Sequence, residues 1–299
     1  MCRALFVGLS PGLQKTMIFD SFTVNEVSRC SEYFLDASGK CINSARVFAQ
    51  LGGYSLCLTQ VGGENENKLL SLADESGVNI CPVRTIADVR YCYTIIDRTN
   101  HTATELVVNE PGSVEVDIEK TFIEKYSKLV AEYDAVVITG SRLPGFSDII
   151  IPELVSIAKK AAKFVFADYR NEDLNNSFIS RTVRPDFVKL NMDEFKETFH
   201  DNNDGFDVDN KLQKLSRDYN NTFIITQGAG QTLFAESGKI GSFIPEKVTP
   251  VNAIGCGDAF LAGLVMGILK NNILEEAMKL GSECAKKNAL NIRPGNIRQ

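Results

Sequence analysis

The chain has 299 residues, is 44% hydrophobic, and carries 32 basic against 38 acidic residues, a net charge of −6. That length suits one large α/β domain with a full core, and mild acidity without a basic run excludes nucleic acid or an anionic membrane as main partner. Eight cysteines without a Cys-x-x-Cys pair exclude a disulfide frame or zinc site, and His101 and His200 alone leave little material for histidine chemistry.

The apolar start Ala4–Val7 is too short for a signal peptide and no run could span a bilayer, so a cytoplasmic protein is expected. Runs with β character recur at Ala4–Val7, Leu56–Val61, Ala135–Ile138, Phe164–Ala167, Phe187–Leu190 and Phe223–Thr226. Helical spacing separates many of them, at Ile42–Leu51, Ile118–Ala131, Ile149–Ala162, Val208–Tyr219 and Ala259–Leu269, the last with one buried stripe. The alternation predicts a single α/β domain over residues 1–299, a mainly parallel sheet flanked by helices with ligands at the carboxyl ends of its strands. Two stretches break it. Thr16–Phe22 with Ser31–Leu35, and Val89–Asp97 with Thr104–Val108, read as strand pairs without intervening helices. They predict a small antiparallel lid, segments 12–36 and 88–110, that covers the ligand edge or pairs with a second subunit. The polar segment His200–Asn210 reads as a surface loop.

The strongest chemical signal is Asn252-Ala-Ile-Gly-Cys-Gly-Asp258, a glycine turn running into an apolar helix. Gly255 and Gly257 let a ligand approach the main chain, and free N–H groups at a helix start attract anions. A carboxylate at that point is held ionised and can take a proton from a hydroxyl. A helix cap on a tight turn has the same appearance. Ser38-Gly39-Lys40-Cys41-Ile42-Asn43 is a second glycine turn opening a helix, either a solvated lysine at a helix start or a sugar or phosphate cradle. Phe34 and Cys41 rule out a Walker A loop. At the end of Phe187–Leu190, Asn191 and Glu194 suit magnesium held largely through water, or equally a helix cap with its capping box. Thr226-Gln-Gly228 follows another apolar strand, and the third glycine of a dinucleotide fingerprint is missing there and after Gly257.

Together these motifs resemble the ribokinase-like carbohydrate kinases of the phosphofructokinase-B family, over nearly the whole chain and in the family's order. Gly39-Lys40-Cys41-Ile42-Asn43-Ser44-Ala45-Arg46 resembles its N-terminal motif and Asn252 to Asp258 its C-terminal one. Between them fall Val61-Gly-Gly63, Thr104-Glu-Leu106 with Asn109-Glu-Pro-Gly112, Gly140-Ser-Arg-Leu-Pro-Gly145, Lys189-x-Asn-x-x-Glu194 and Thr226-Gln-Gly228. Lys40, Asn252 and Arg90 are similar to the hexose-phosphate kinases within that family, which include 1-phosphofructokinase and tagatose-6-phosphate kinase.

The resemblance implies a ribokinase-like fold with ATP and Mg2+. It makes Asp258 the base, with Gly255, Cys256 and Gly257 presenting amides to the transferring phosphoryl group. Lys40 and Arg90 would hold the phosphate already on the sugar, in the cradle of Gly39 and Asn43. Asn191 and Glu194 would position the metal and its waters, while Lys189, Asn191, Thr226, Gly228 and Asn288 would stand on the nucleotide side. Such a reaction depends on alignment and charge neutralisation. The chain departs from the subgroup at Ser10-Pro-Gly-Leu-Gln14, where Gln14 replaces an aspartate expected to accept hydrogen bonds from sugar hydroxyls. The expected reaction is phosphorylation of a ketohexose phosphate of the fructose 1-phosphate or tagatose 6-phosphate type. The alternatives are a kinase of an unphosphorylated sugar or nucleoside, and a sugar-phosphate sensor that has lost turnover. Homodimerisation through the lid is a further expectation.

Overall fold

Along the first strand, Leu5 and Val7 point to one face and Ala4 and Phe6 to the other, and all four are fully buried. A strand apolar on both faces needs cover on both, and the rest of the chain supplies it. The computed structural model describes residues 1–178, 183–199 and 207–298. In chain order the elements are β1 (Arg3–Leu9), β2 (Gly12–Phe19), β3 (Glu32–Ser38), α1 (Lys40–Gln50), β4 (Tyr54–Gly62), α2 (Glu66–Glu75), β5 (Ile80–Thr85), β6 (Arg90–Asp97), β7 (Thr102–Val107) and α3 (Ile118–Leu129). There follow β8 (Ala135–Arg142), α4 (Ile150–Lys160), β9 (Phe164–Asp168), α5 (Asn171–Asn176), β10 (Phe187–Asn191), α6 (Met192–Phe199), α7 (Val208–Tyr219), β11 (Thr222–Thr226), β12 (Thr232–Glu236), β13 (Lys239–Phe243), α8 (Cys256–Leu269) and α9 (Leu274–Ala289).

A nine-stranded sheet runs β13-β12-β11-β10-β9-β8-β1-β4-β5, parallel throughout except at the edge strands β12 and β13. One core packs α3 and α4 residues such as Phe122, Tyr126 and Leu154 against Leu5, Val136 and Ile138. The other packs Ile42 and Phe48 of α1, and Phe260 and Leu264 of α8, against Phe6, Val137 and Phe166. The expected alternation is present, and all eight cysteines are free thiols. Helix α8 corrects one expectation. It is buried on every side from Asp258 to Gly267, because α1 and α9 flank it as well as the sheet. Where α8 and α9 cross, Gly263 lies so near Gly281 that an added Cβ would come within 2.6 Å of its Cα.

A four-stranded sheet, order β3-β2-β6-β7, leaves the main one at Ser10-Pro11. Its outer pairs are antiparallel and its central β2–β6 pair is parallel. The two stretches expected to form a lid therefore make one continuous surface. Of the expected loop His200–Asn210, residues 200–206 lie outside the described residues; Asp207 caps α7 by accepting from the Asn210 N–H. No helix among the described residues is long and apolar enough to cross a membrane.

Candidate active site

At the carboxyl edge of the large sheet, two helices begin side by side. Helix α8 starts from a loop folded by Asn252, whose amide donates to Ile292 O at 2.8 Å and accepts from the Ile254 N–H at 3.0 Å. Gly255 has φ +81°, and a Cβ there would lie 2.8 Å from the main-chain nitrogen of Gly295, so no other residue fits without strain. The Cys256 N–H already donates to Ala253 O at 3.2 Å. The N–H groups of Gly255, Gly257 and Asp258 have no partner among the described residues, and the last two lie in the first turn of α8. Of the three amides the motif suggested, only that of Cys256 is taken up within the loop, and Asp258 adds its own.

Asp258 stands in that first turn, 7% exposed, with Oδ2 accepting from Asn43 Nδ2 at 2.8 Å. Burial pushes its carboxyl up to about 6 and the charge of Asp168 adds to this, against the Asn43 hydrogen bond and the charges of Lys40 and Lys189. It is still ionised at neutral pH, but as a stronger base than the ordinary carboxylate expected from the sequence. Asn43 belongs to the first turn of α1, and Ser44 Oγ donates to Asp258 O at 3.2 Å, which pins the two helix starts together.

The mouth of α1 carries a charge network centred on a residue the sequence reading missed. Asp168, at the end of β9, is fully buried. Its oxygens accept from Lys40 Nζ at 2.8 Å and Lys189 Nζ at 3.0 Å. Burial favours its neutral form, yet the two lysines hold the carboxyl below its usual range. Lys40 also donates to Glu194 Oε1 at 3.0 Å. For Lys40, burial works against the charge, but Asp168 and Glu194 outweigh it and raise its pKa. The one trace of Asp168 in the sequence is an aspartate directly after the apolar run Phe164–Ala167, which any loop start could show.

A cavity of about 370 Å³ lies between the lid and the two helix mouths. Gln14, Gly39, Lys40, Asn43, Arg90, Lys189, Asn191, Glu194, Gly255, Gly257 and Asp258 all line it, with Glu105 from the lid as an unforeseen carboxylate. Burial raises the Glu105 carboxyl, with Arg90 opposing. A second cavity of about 230 Å³ is lined by Thr226, Gly228, Cys256, Gly257 and apolar residues such as Val248 and Phe260. Gly257 borders both, and a Cβ there would sit 2.8 Å from Lys189 Nζ.

The residues expected on the nucleotide side divide between the two cavities. Lys189 and Asn191 line the larger cavity, apart from Thr226 and Gly228. Asn288 lines neither; its amide donates to Ile254 O at 2.8 Å and accepts from the Gly295 N–H at 2.7 Å, so it supports the α8 loop where a nucleotide contact was expected. Arg90 is paired with Glu110 at 3.1 Å, as Lys40 is with Asp168 and Glu194, so both cations meant for a sugar phosphate have partners within the protein.

Asn191 and Glu194 form a reciprocal capping box: Glu194 Oε2 accepts from the Asn191 N–H at 2.9 Å and Asn191 Oδ1 from the Glu194 N–H at 2.8 Å. No group of three or more His, Cys, Asp or Glu side chains among the described residues could cage a metal. Each Glu194 oxygen keeps a lone pair, so the pair fits an ion held through its waters and through nucleotide phosphates.

Two cavities meeting at a helix start, on the carboxyl edge of a parallel sheet with a β lid, define the ribokinase-like class of α/β protein. A model of the pfkB family of carbohydrate kinases matches residues 14–296, and the chain belongs to that family. It is an ATP-dependent carbohydrate kinase. A tagatose-6-phosphate kinase of Staphylococcus epidermidis is 22% identical over 98% of this chain and 94% of its own. An ATP-dependent 6-phosphofructokinase isozyme 2 of Mycobacterium tuberculosis is 23% identical over 98% of this chain and 85% of its own. A solved structure from Thermotoga maritima, described as a possible 1-phosphofructokinase, has a TM-score of 0.87 at 24% identity, over 97% of this chain and 93% of that one.

Proposed function

We propose that the chain transfers the γ-phosphoryl group of ATP to a hydroxyl of a phosphorylated ketohexose of the fructose 1-phosphate or tagatose 6-phosphate type. The observation that carries this reading is Asp258, a carboxylate raised to about 6 that lines the acceptor cavity beside the unpartnered N–H groups of Gly257 and itself. The acceptor hydroxyl gives its proton to Asp258 as its oxygen bonds to the γ-phosphorus, and the bond to the β,γ-bridging oxygen breaks to release ADP. The two free amides hold the phosphoryl oxygens in passage, and Lys189, next to Gly257, adds a cation on their path.

ATP lies with its base against the apolar wall of the second cavity, near Val248 and Phe260, and its phosphates directed toward Gly257. Asn191 and Glu194 would hold magnesium through its waters, and the ion would supply neutralisation of phosphate charge. The acceptor lies under the lid, in reach of Gln14, Gly39 and Asn43, with its own phosphate toward Arg90 and Lys40. That phosphate must compete with Glu110 for Arg90 and with Asp168 and Glu194 for Lys40. The same pairing favours a second reading, in which the acceptor is a neutral sugar or nucleoside and both cations are structural.

An ATP-consumption screen over ketohexose phosphates, free sugars and nucleosides separates the two. Turnover confined to the phosphorylated acceptors is the expected result. Efficient turnover of a neutral one overturns the sugar-phosphate assignment, and no turnover with any acceptor favours a sensor. The free thiols suit a cytoplasmic enzyme. On the lid, Tyr33, Leu106 and Val107 are exposed, which a second copy of the chain would cover; sedimentation of the purified protein tests that homodimer.

A further inference from the structure

Arg46 lies in α1, 4% exposed, with acceptors at both terminal nitrogens of its guanidinium and none at Nε, which is buried. Nη1 donates to Asn43 Oδ1 at 3.2 Å and to Pro294 O at 3.3 Å, and Nη2 donates to Ala37 O. Burial lowers its pKa to about 10 and Arg293 adds to that while Asp36 opposes it, so the group is cationic at neutral pH. A guanidinium has donors and no acceptor, so whatever faces it must accept.

This settles the neighbouring amide. Asn43, 3% exposed, is held between Arg46 on one side and Asp258 on the other. With its oxygen toward Arg46, its nitrogen is left to donate to Asp258 Oδ2. Ser38 Oγ donates to the same oxygen at 3.2 Å and reinforces that orientation. The reverse orientation would set the Asn43 nitrogen against the donor-only Arg46 and its oxygen against a carboxylate. Asp258 Oδ1 has no hydrogen-bond partner among the described residues, which leaves it as the oxygen open to an acceptor hydroxyl.

We propose that Arg46 is a positioning residue for the reaction: acting through Asn43, it fixes one oxygen of Asp258 in a hydrogen bond and leaves the other to take the proton. The inference rests on reading Asp258 as the base. The same guanidinium holds Ala37 O at the end of lid strand β3 and Pro294 O beside Gly295, the residue against which Gly255 packs. Lid hinge, C-terminal loop and base are thereby set from one side chain.

Titration of Asp258 by carboxyl NMR tests this without sugar or nucleotide, on the full chain carrying 13C-labelled aspartate, with the resonance assigned by its loss in Asp258→Asn. Asp258 is also faced by Asp168 from β9, Lys189 from β10 and Lys40 from α1, with Cys41 and Cys256 at longer range, and all of these stay unchanged. The wild-type midpoint is expected near 6. Arg46→Met is expected to raise it by about one pH unit, partly through its own charge on Asp258, Asn43→Ala by a similar amount, and the double variant by less than the sum of the two. Arg46→Lys, which also presents donors only, is expected to keep the wild-type midpoint. If Arg46→Met does not fold, Arg46→Gln replaces it, since glutamine can offer an acceptor and release the Asn43 amide. An unmoved midpoint in the folded Met or Gln variant, or additive shifts in the double variant, overturns the inference. Turnover surviving in Asp258→Asn removes the base and this inference with it; an inactive Asp258→Asn beside an unmoved midpoint removes this inference alone.

Discussion

Helices α1 and α8 both open on a glycine with positive φ, +106° at Gly39 and +81° at Gly255, and both mouths face the same cavity. From the turns alone they would be expected to do the same thing. At α1 the ionisable group is Lys40, locked into its charged form by Asp168 and Glu194 despite burial. At α8 it is Asp258, whose nearest partner is a neutral amide and whose pKa burial brings near the working range of a base. One mouth keeps its charge at any physiological pH and organises the site; the other changes protonation and does the chemistry. The difference comes from what stands at the ends of β9 and β10, since the two turns supply similar dipoles and amides.

The sharpest way to break that contrast is Asp258→Asn. Loss of a positioned base is expected to lower kcat by about 10²–10⁴-fold, with nucleotide affinity kept, as measured by steady-state kinetics and calorimetry. In the wild type, kcat/KM should fall as pH drops through about 6. The stability effect has the opposite sense. A pKa raised in the folded state contributes stability below the unfolded value, near 4, and loses it as pH rises through the folded value near 6. Asp258→Asn is therefore expected to melt above the wild type at pH 7.5, by up to about 3 kcal/mol, with the gap closing toward pH 4. A variant less stable at both pH values would show that the carboxylate is not strained by burial.

Asp168→Asn attacks the other mouth. It removes a buried charge shared by two lysines, and breaking such a pair is expected to cost about 3–5 kcal/mol in urea unfolding. The Asp168 carboxyl is held low, so its contribution is present above the unfolded pKa and fades as pH falls; wild type and variant should converge in acid. Loss of its charge should also lower the Asp258 pKa and move the acid limb of kcat/KM below 6. An unmoved limb would mean the two mouths are electrically independent. Arg90→Ala asks less of the fold. A charged hydrogen bond is worth about 1.5–3 kcal/mol, so KM for a sugar phosphate should rise roughly 10- to 150-fold while a neutral sugar is unaffected. Equal losses for both would leave the Arg90–Glu110 pair a structural role only.

How much of this could be read beforehand follows the same division. The alternation of strands and helices was legible because each strand is apolar on its own, and the turn before Asp258 because its glycines have no substitute at that spacing. The capping box of Asn191 and Glu194 was legible as an alternative and is present in the structure. Asp168 was not legible: a single aspartate after an apolar strand resembles any loop start until β9 and β10 lie side by side and bring Lys189 to it. The pairing of Lys40 and Arg90 was hidden for the same reason, since Lys40 is 128 residues from Asp168 and Arg90 is clamped only once the lid is in place. Strands β12 and β13 and helix α9 escaped because edge strands and a helix covering another helix carry weaker apolar patterns.

The smallest expected effect carries the contrast into the lid, at Gln14. Its Nε2 donates to Thr94 Oγ1 at 2.8 Å, with Gln14 3% exposed and Thr94 fully buried. Gln14 also lines the acceptor cavity, and its oxygen has no partner among the described residues. With the nitrogen turned to Thr94, the amide presents only an acceptor to a sugar hydroxyl, as an aspartate would, but without the charge. Thr94→Val keeps the shape and removes the oxygen, so the amide is free to turn. A neutral hydrogen bond contributes about 1 kcal/mol, hence a rise in acceptor KM of roughly fivefold with kcat unchanged. Thr94→Ser should restore KM, because the hydroxyl alone does the work. A fall in kcat in place of a rise in KM would tie Gln14 to the base, and the lid would then act in the chemistry as well as in binding.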